Sequence, residues 1–446
     1  FYGFGQLQPV FQAEADSLIA FYDDCFNELT EQLCVKAVKE VRAIIQDFHQ
    51  LSCLGDGVVA IDGQKITITF DKIAPDALLT FTQLAPVPKS EFEGIDPLQV
   101  QQAPFFQHPI GCGPFMVEEV NMKNYTILAP FDKYYNGVAD FKIQMLPSAG
   151  DSDPNVVTRA KSGNLDYGYT KMVADVQALE GTPGITVTPI DVRYTRLFYL
   201  NKFDKKDGSP APLADVRVRQ ALRYAIDMET ICETLFQGSA VPANALAPDA
   251  NLKGGDLNDY NYNPEKAKEL LAEANWDPNT VIKAVYYYTD QATVDLMTAV
   301  QAYLADVGIK MEFELVEGDL ATILWAAPAD QTNGPRAVDW DICYAANAAL
   351  SLHEYYDRYR TGSPTNSHTP EDAELNRLID ATNASADVNA QNEAFKELIK
   401  YENENLFTMA LYYQPIFLIT SDKIGDIQKG TPQFCINWDI QNWNVQ

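Results

Sequence analysis

At 446 residues the chain exceeds what one hydrophobic core usually covers, so two or three domains are expected. Its 33 basic against 62 acidic residues leave a net charge of −29. That balance argues against a nucleic-acid binder, which needs clustered Lys and Arg, and against docking on an anionic lipid surface. A hydrophobic content of 46% with 21% charged residues is ordinary for a globular protein, and no apolar run reaches the ~18 residues of a membrane span.

The chain begins at Phe1 without a basic-then-apolar leader, and reads as mature or trimmed. Residues 1–57 are mostly helical in pattern: Val35, Val38, Val41, Ile44, Ile45 and Phe48 recur at helical spacing, and Gly55 and Gly57 end the run. Lys65 to Phe70 alternates strictly, which predicts a half-buried strand. Residues 84–115 read as loop, 117–146 as short strands and 154–166 as a helix. Ile185 to Val192 and Arg196 to Asn201 read as strands.

Asp215 can cap a helix carrying Val218, Ala221, Leu222, Ala225 and Ile226. Asn263-Pro264-Glu265 is a second helix start, with Ala267, Leu270, Leu271 and Ala274 on one face. An alternation follows: strand Val281–Tyr288, a helix through Val294 and Val307, strand 311–315, helix 320–325 and strand 340–344. It implies right-handed crossovers and a parallel sheet. Ligands of such sheets bind beyond the carboxyl ends of the strands, which brings Tyr288, Thr289, Asp290, Tyr344 and Asn347 forward. Helices are expected near 371–384 and 388–404, and the stretch 407–419 reads as strand-like and aromatic.

Enzyme signatures are sparse. The sequence has no G-x-S-x-G, S-x-x-K, P-loop or G-x-G-x-x-G. The seven cysteines form no C-x-x-C and read as scattered buried thiols before a disulfide framework. His353 and Asp357 stand four apart, as a metal pair could, but a helix start with a mixed face explains them better. Paired carboxylates cannot be singled out among 62 acids, so a secreted carboxylate-dependent glycoside hydrolase stays only as an alternative. The 23 Tyr, 22 Phe and 5 Trp say more. Many lie at expected strand ends, where tyrosine offers wide contact area and a polar tip to a ligand.

Residues 213–227, Leu-Ala-Asp-Val-Arg-Val-Arg-Gln-Ala-Leu-Arg-Tyr-Ala-Ile-Asp, resemble the extracellular solute-binding proteins of ABC importers, family 5 (peptide, dipeptide and nickel type). Pro109 to Phe115 is similar to the family's P-x-G-T-G-P-Y/F turn, with Cys112 replacing Thr. Gly163 to Asp166, Gln237 to Ala243, Tyr262 to Ala274 and Gly308-Ile309-Lys310 resemble further family segments in the same order. Two departures stand out. The strand-rich amino-terminal segment is not recognisable, and the acid that pairs with a peptide's α-ammonium is missing from Tyr344 to Leu352, leaving Asn347, Ser351 or Asp290 as substitutes.

The resemblance implies a two-lobed α/β fold of the periplasmic-binding type II, cluster C class, with an extra subdomain over about 30–135 on the first lobe. It implies a first lobe of 1–240 and 417–446, a second of 247–407, and hinge crossings near 240–246 and 408–416. The implied function is extracytoplasmic capture of a peptide or similar polar solute by a monomer, without catalysis or cofactor. Delivery to a membrane permease and its ATPases would follow, in a bacterial protein of the cell surface or periplasm, lipid-anchored in the precursor. A ligand-presenting sensor subunit is the other reading of the same fold. The implied ligand residues are Trp325, Tyr288 and Tyr413 for stacking, and Asp290, Tyr344 and Asn347 for polar contacts. Arg217 and Arg219 are assigned to packing.

Overall fold

The computed structural model describes residues 57–62, 65–70, 73–75, 88–95, 102–121, 123–148, 153–190, 194–249, 256–348, 351–425 and 439–446, with 77, 100 and 252–253 besides. The helical reading of the amino-terminal stretch lies outside these, except for Gly57, which opens a strand. The chain forms two compact units. One draws on Phe1–Asp153, Ser421–Gly430 and Cys435–Gln446, the other on Pro154–Thr420 and Thr431–Phe434.

In the first unit, β1 (Gly57–Asp62) and the expected strand β2 (Lys65–Phe70) pair antiparallel from Gly57↔Phe70 to Asp62↔Lys65. β3 (Phe115–Asn121), β4 (Tyr125–Pro130) and β5 (Ile143–Met145) form an antiparallel sheet, with a register shift between Val117 and Glu119. Phe92, Phe105 and Phe106 pack ring to ring at 5.0–5.9 Å within the region read as loop.

The second unit opens with α1 (Val156–Lys161), β6 (Tyr167–Thr170), α2 (Val173–Leu179) and β7 (Ile185–Ile190). Then come β8 (Tyr194–Leu200), α3 (Val216–Ala225), α4 (Met228–Thr234), β9 (Val241–Pro242) and α5 (Pro264–Glu273). The expected alternation follows as β10 (Val281–Tyr286), α6 (Gln291–Asp306), β11 (Lys310–Leu315), α7 (Leu320–Trp325) and β12 (Ile342–Ala348). The unit closes with α8 (Leu352–Asp357), α9 (Ala373–Thr382), α10 (Val388–Asn405), β13 (Thr408–Tyr413) and β14 (Ile416–Ser421).

Helix starts obey local chemistry. Asp215 accepts the Arg217 amide at 2.8 Å, and Asn263 accepts that of Lys266 at 2.9 Å with Pro264 in the first turn. Asp227, Asp290, Asp319, Asp372 and Asp387 cap their helices in the same way. Part of the acidity is therefore spent on helix amino ends, where a carboxylate also meets the positive end of the helix dipole.

The central sheet runs β11-β10-β12-β8-β13-β9. β10 is parallel to β11 and β12, as expected, but β8 is antiparallel to both β12 and β13, so the sheet is mixed. Alternate residues of β8 feed opposite layers. Phe198 and Leu200 pack with Leu222, Ile282 and Leu296, while Leu197 and Tyr199 pack with Val285, Leu378 and Leu398. Val218 and Ile231 share the first layer with Ile342 and Met409.

The strand-like stretch 407–419 holds β13 and most of β14. Pro415, which has no amide proton for a ladder, stands between β13 in the mixed sheet and β14 in a small sheet ordered β6-β14-β7. Cys112, Cys232 and Cys343 are free thiols, the first exposed and the others buried; the remaining four cysteines lie outside the described residues.

Candidate functional site

The mixed sheet brings the carboxyl ends of β10 and β12 to the amino end of β8. There Arg196 sits opposite Ala346 of β12 and Tyr412 of β13. The register shift between Ala410 and Tyr412 fits the bulged strand to that pairing. Arg196 is 9% exposed, yet its Nε and Nη1 meet no hydrogen-bond acceptor among the described residues. Its guanidinium lies 4.2 Å from the centroid of the Tyr288 ring, 5.0 Å from Tyr194 and 5.8 Å from Tyr344. Lys171 Nζ stands 3.9 Å from the Tyr194 ring, so two cations share that ring.

The tyrosines are tied to one another. Tyr344 and Tyr412 share a hydroxyl hydrogen bond of 2.8 Å, Tyr287 and Tyr288 one of 3.0 Å, and the Tyr288 and Tyr344 rings meet edge to face at 5.6 Å. Burial pushes the Tyr288, Tyr344 and Tyr412 phenols up, with Arg196 pulling the other way, so all three stay protonated. Desolvation is the largest influence on Arg196 and works against its charge, with the surrounding Tyr344, Tyr288, Tyr194 and Tyr412 working the other way.

A buried charge without a partner costs several kcal/mol, and a cation–π contact returns about 0.5–2 kcal/mol. The ring contacts leave part of that cost standing. The other buried arginines Arg219 and Arg223 meet backbone carbonyls, whereas Nε and Nη1 of Arg196 meet no acceptor among the described residues. Such a site can bind and orient an anionic or hydrogen-bond-accepting solute; it offers no acid–base pair.

The structure joins two of the six expected ligand residues here, Tyr288 and Tyr344. Asp290 is near enough to raise Tyr344 and Tyr412, but its carboxylate caps α6, accepting from the Thr293 amide at 2.9 Å and the Thr293 hydroxyl at 3.1 Å. Asn347 is buried and donates to the Tyr355 carbonyl at 3.3 Å. Tyr413 donates its hydroxyl to the Ala245 carbonyl at 2.5 Å. Trp325 packs with the layer on the other face of the sheet, edge-on to Tyr199 at 5.0 Å. Ser351 caps α8, accepting the His353 amide at 3.0 Å. His353 is held at both ring nitrogens, by the Ser351 hydroxyl and the Thr382 carbonyl at 3.2 Å each. Among the described residues no group of three or more His, Cys, Asp or Glu could hold a metal ion.

Neither Arg196 nor Lys171 is among the residues the sequence brings forward. The signal is a lone charge inside Tyr-Thr-Arg-Leu-Phe-Tyr-Leu, because a strand covered on both faces has no solvent side for it.

The described residues include no helix long and apolar enough to cross a membrane. The chain resembles a Brucella ovis protein provisionally named an ABC transporter peptide-binding protein, with 28% identity over 256 residues, covering 56% of this chain and 47% of that protein. Oligopeptide-binding protein AppA of Bacillus subtilis is 26% identical over 272 residues, with 56% of this chain and 46% of AppA covered. The chain thus spans about half the length of these curated relatives. The crystal structure of the ABC transporter substrate-binding protein CtaP from Listeria monocytogenes superposes with a TM-score of 0.75 at 19% identity, over 92% of this chain and 84% of that one. That likeness gives the α/β fold of the cluster C binding proteins. The family model described as bacterial extracellular solute-binding proteins, family 5 Middle, matches residues 31–368, and the chain belongs to that family.

Proposed function

We propose that this protein captures a small polar solute for an ABC importer, holds it at the sheet ends around Arg196, Tyr288 and Tyr344, and hands it unaltered to a membrane permease. The observation that carries this reading is family membership over residues 31–368. Relatives named for oligopeptide, dipeptide and heme binding give the range of cargo from which the solute is drawn. The tyrosine cluster supports it physically, since it offers flat contact area with few rotors and hydroxyl donors for orientation. A precursor held at the outer face of the membrane by a lipid anchor fits the same reading.

Native mass spectrometry of the purified protein, followed by identification of the released small molecule, tests it. The expected result is a saturable one-to-one complex whose solute is recovered intact on denaturation. Recovery of a chemically altered solute with turnover would overturn it.

A further inference from the structure

The solute itself is the open question, and Arg196 bears on it directly. Its Nε and Nη1 are buried without an acceptor among the described residues, on a side chain that is 9% exposed. No ion pair to it exists among the described residues, and the groups that bear on its charge are the phenols of Tyr344, Tyr288, Tyr194 and Tyr412. Asp290, the acid that bears on Tyr344 and Tyr412, already receives the Thr293 amide and hydroxyl. The strand partner on the β12 side is Ala346, a half-buried residue whose methyl side chain offers no acceptor. Lys171, across the Tyr194 ring, gives the place a second positive charge.

We infer that Arg196 is the carboxylate-recognising residue of the ligand site, taking one carboxylate of the solute on its Nε and Nη1 edge. The inference rests on the solute-capture reading and adds the chemical class of the cargo. A guanidinium edge matches the two oxygens of a carboxylate, and such charge-assisted paired hydrogen bonds are stronger than neutral ones. The guanidinium lies over the Tyr288, Tyr194 and Tyr344 rings, and its Nε and Nη1 are left unanswered among the described residues. The solute completes a pairing that the protein leaves open. The carboxylate has two possible sources, the end or acidic side chain of a peptide, or a free small organic acid.

The test is calorimetric titration of the purified protein with tetra-alanine and its carboxyl-terminal amide, and with succinate and glutarate beside their monoamides. At least one carboxylate probe is expected to bind roughly ten-fold or more tightly than its amide. Arg196→Gln is expected to erase that preference, and Arg196→Lys to retain part of it. Binding of tetra-alanine alone identifies a peptide carboxylate; binding of a dicarboxylate alone identifies a small organic acid. Equal affinity for acid and amide, no binding of any carboxylate probe, or a preference that survives in Arg196→Gln overturns the inference. Melting separates a purely structural arginine: ligand-free Arg196→Met is expected to melt at or above the wild-type temperature, because an unpaired buried charge has gone. A lower melting temperature together with unchanged probe binding refutes a ligand role. An altered probe would sink the importer reading alone, whereas lost acid-over-amide preference with intact capture of solute would sink this inference alone.

Discussion

Arg219 donates its Nε to the carbonyl of Leu406 at 3.0 Å, tying α3 to the residue that ends α10 in a left-handed turn of φ 45°. The same guanidinium reaches the Asn405 carbonyl at 2.7 Å through Nη2, and the Leu213 and Ala214 carbonyls at 2.8 and 2.7 Å through Nη1. A cation here meets carbonyls that a helix end leaves unpaired, and the negative end of the dipole. Burial pulls Arg219 down to about 10, so it stays charged at neutral pH. Lysine cannot serve this fan of acceptors from one ammonium. Arg219→Lys is therefore expected to lose about 1–3 kcal/mol and Arg219→Met about 3–5 kcal/mol in urea unfolding. A loss under about 0.5 kcal/mol for both would show that the fan is dispensable.

Tyr413 illustrates the same economy at a residue expected to stack on ligand. Its hydroxyl holds the Ala245 carbonyl at 2.5 Å and lies 3.3 Å from that of Ala247, while Lys253 Nζ sits 4.2 Å from its ring. Tyr413→Phe keeps the ring and removes the donor. Thermal unfolding should register a loss of about 1 kcal/mol, the usual size for one such hydrogen bond. An unchanged melting temperature would mean that the 245–247 segment is held by other contacts.

The three described cysteines differ enough to be told apart chemically. Cys112 is exposed, whereas Cys232 and Cys343 are buried, and burial pushes the Cys232 thiol up to about 12. Thiolate is the reactive form, so iodoacetamide on the native protein should modify Cys112 in preference to the other two. Peptide mapping by mass spectrometry reads this directly. Labelling of Cys343 at a comparable rate would contradict its place within the sheet.

What could be read in advance was what local chemistry decides. Asp215 and Asn263 cap the helices their spacing announces, and β10, α6, β11, α7 and β12 follow the alternation of their apolar residues. What could not be read was pairing across distance. β8 lies between β12 and β13, with Tyr344↔Phe198 and Met409↔Phe198 in register, and no local pattern specifies partners so far apart in the chain. The site suffered for the same reason. Tyr288 and Tyr344 were legible as strand-end residues, but Arg196, near the amino end of a strand of opposite polarity, meets them only through antiparallel pairing. Asp290 and Ser351 were legible as polar groups; that they are consumed as helix caps depends on where α6 and α8 start.

Glu402 gives the fold a pH dependence whose sign can be worked out. It is 2% exposed on α10, its Oε2 has no partner among the described residues, and burial pushes it up to about 8, with the backbone of Leu246 pulling slightly the other way. Below its ordinary value of 4.5 the carboxyl is protonated in folded and unfolded chain alike, and the full stability is present. Between 4.5 and about 8 the folded chain keeps a proton that the unfolded chain has released, so stability falls as pH rises through this window. Above it both forms are ionised and the penalty, on the order of a few kcal/mol, is complete. His368 works in the opposite sense. Its burial beside Lys202 and Arg358 pushes it well down, so stability falls as pH drops below its ordinary value of 6.5. Glu402→Gln removes the first slope and leaves the second. Urea unfolding at about pH 5 and about pH 9 should therefore show the variant close to wild type at the lower value and clearly more stable at the higher. A difference between the two proteins that does not change with pH would mean that Glu402 is ionised in the folded state throughout.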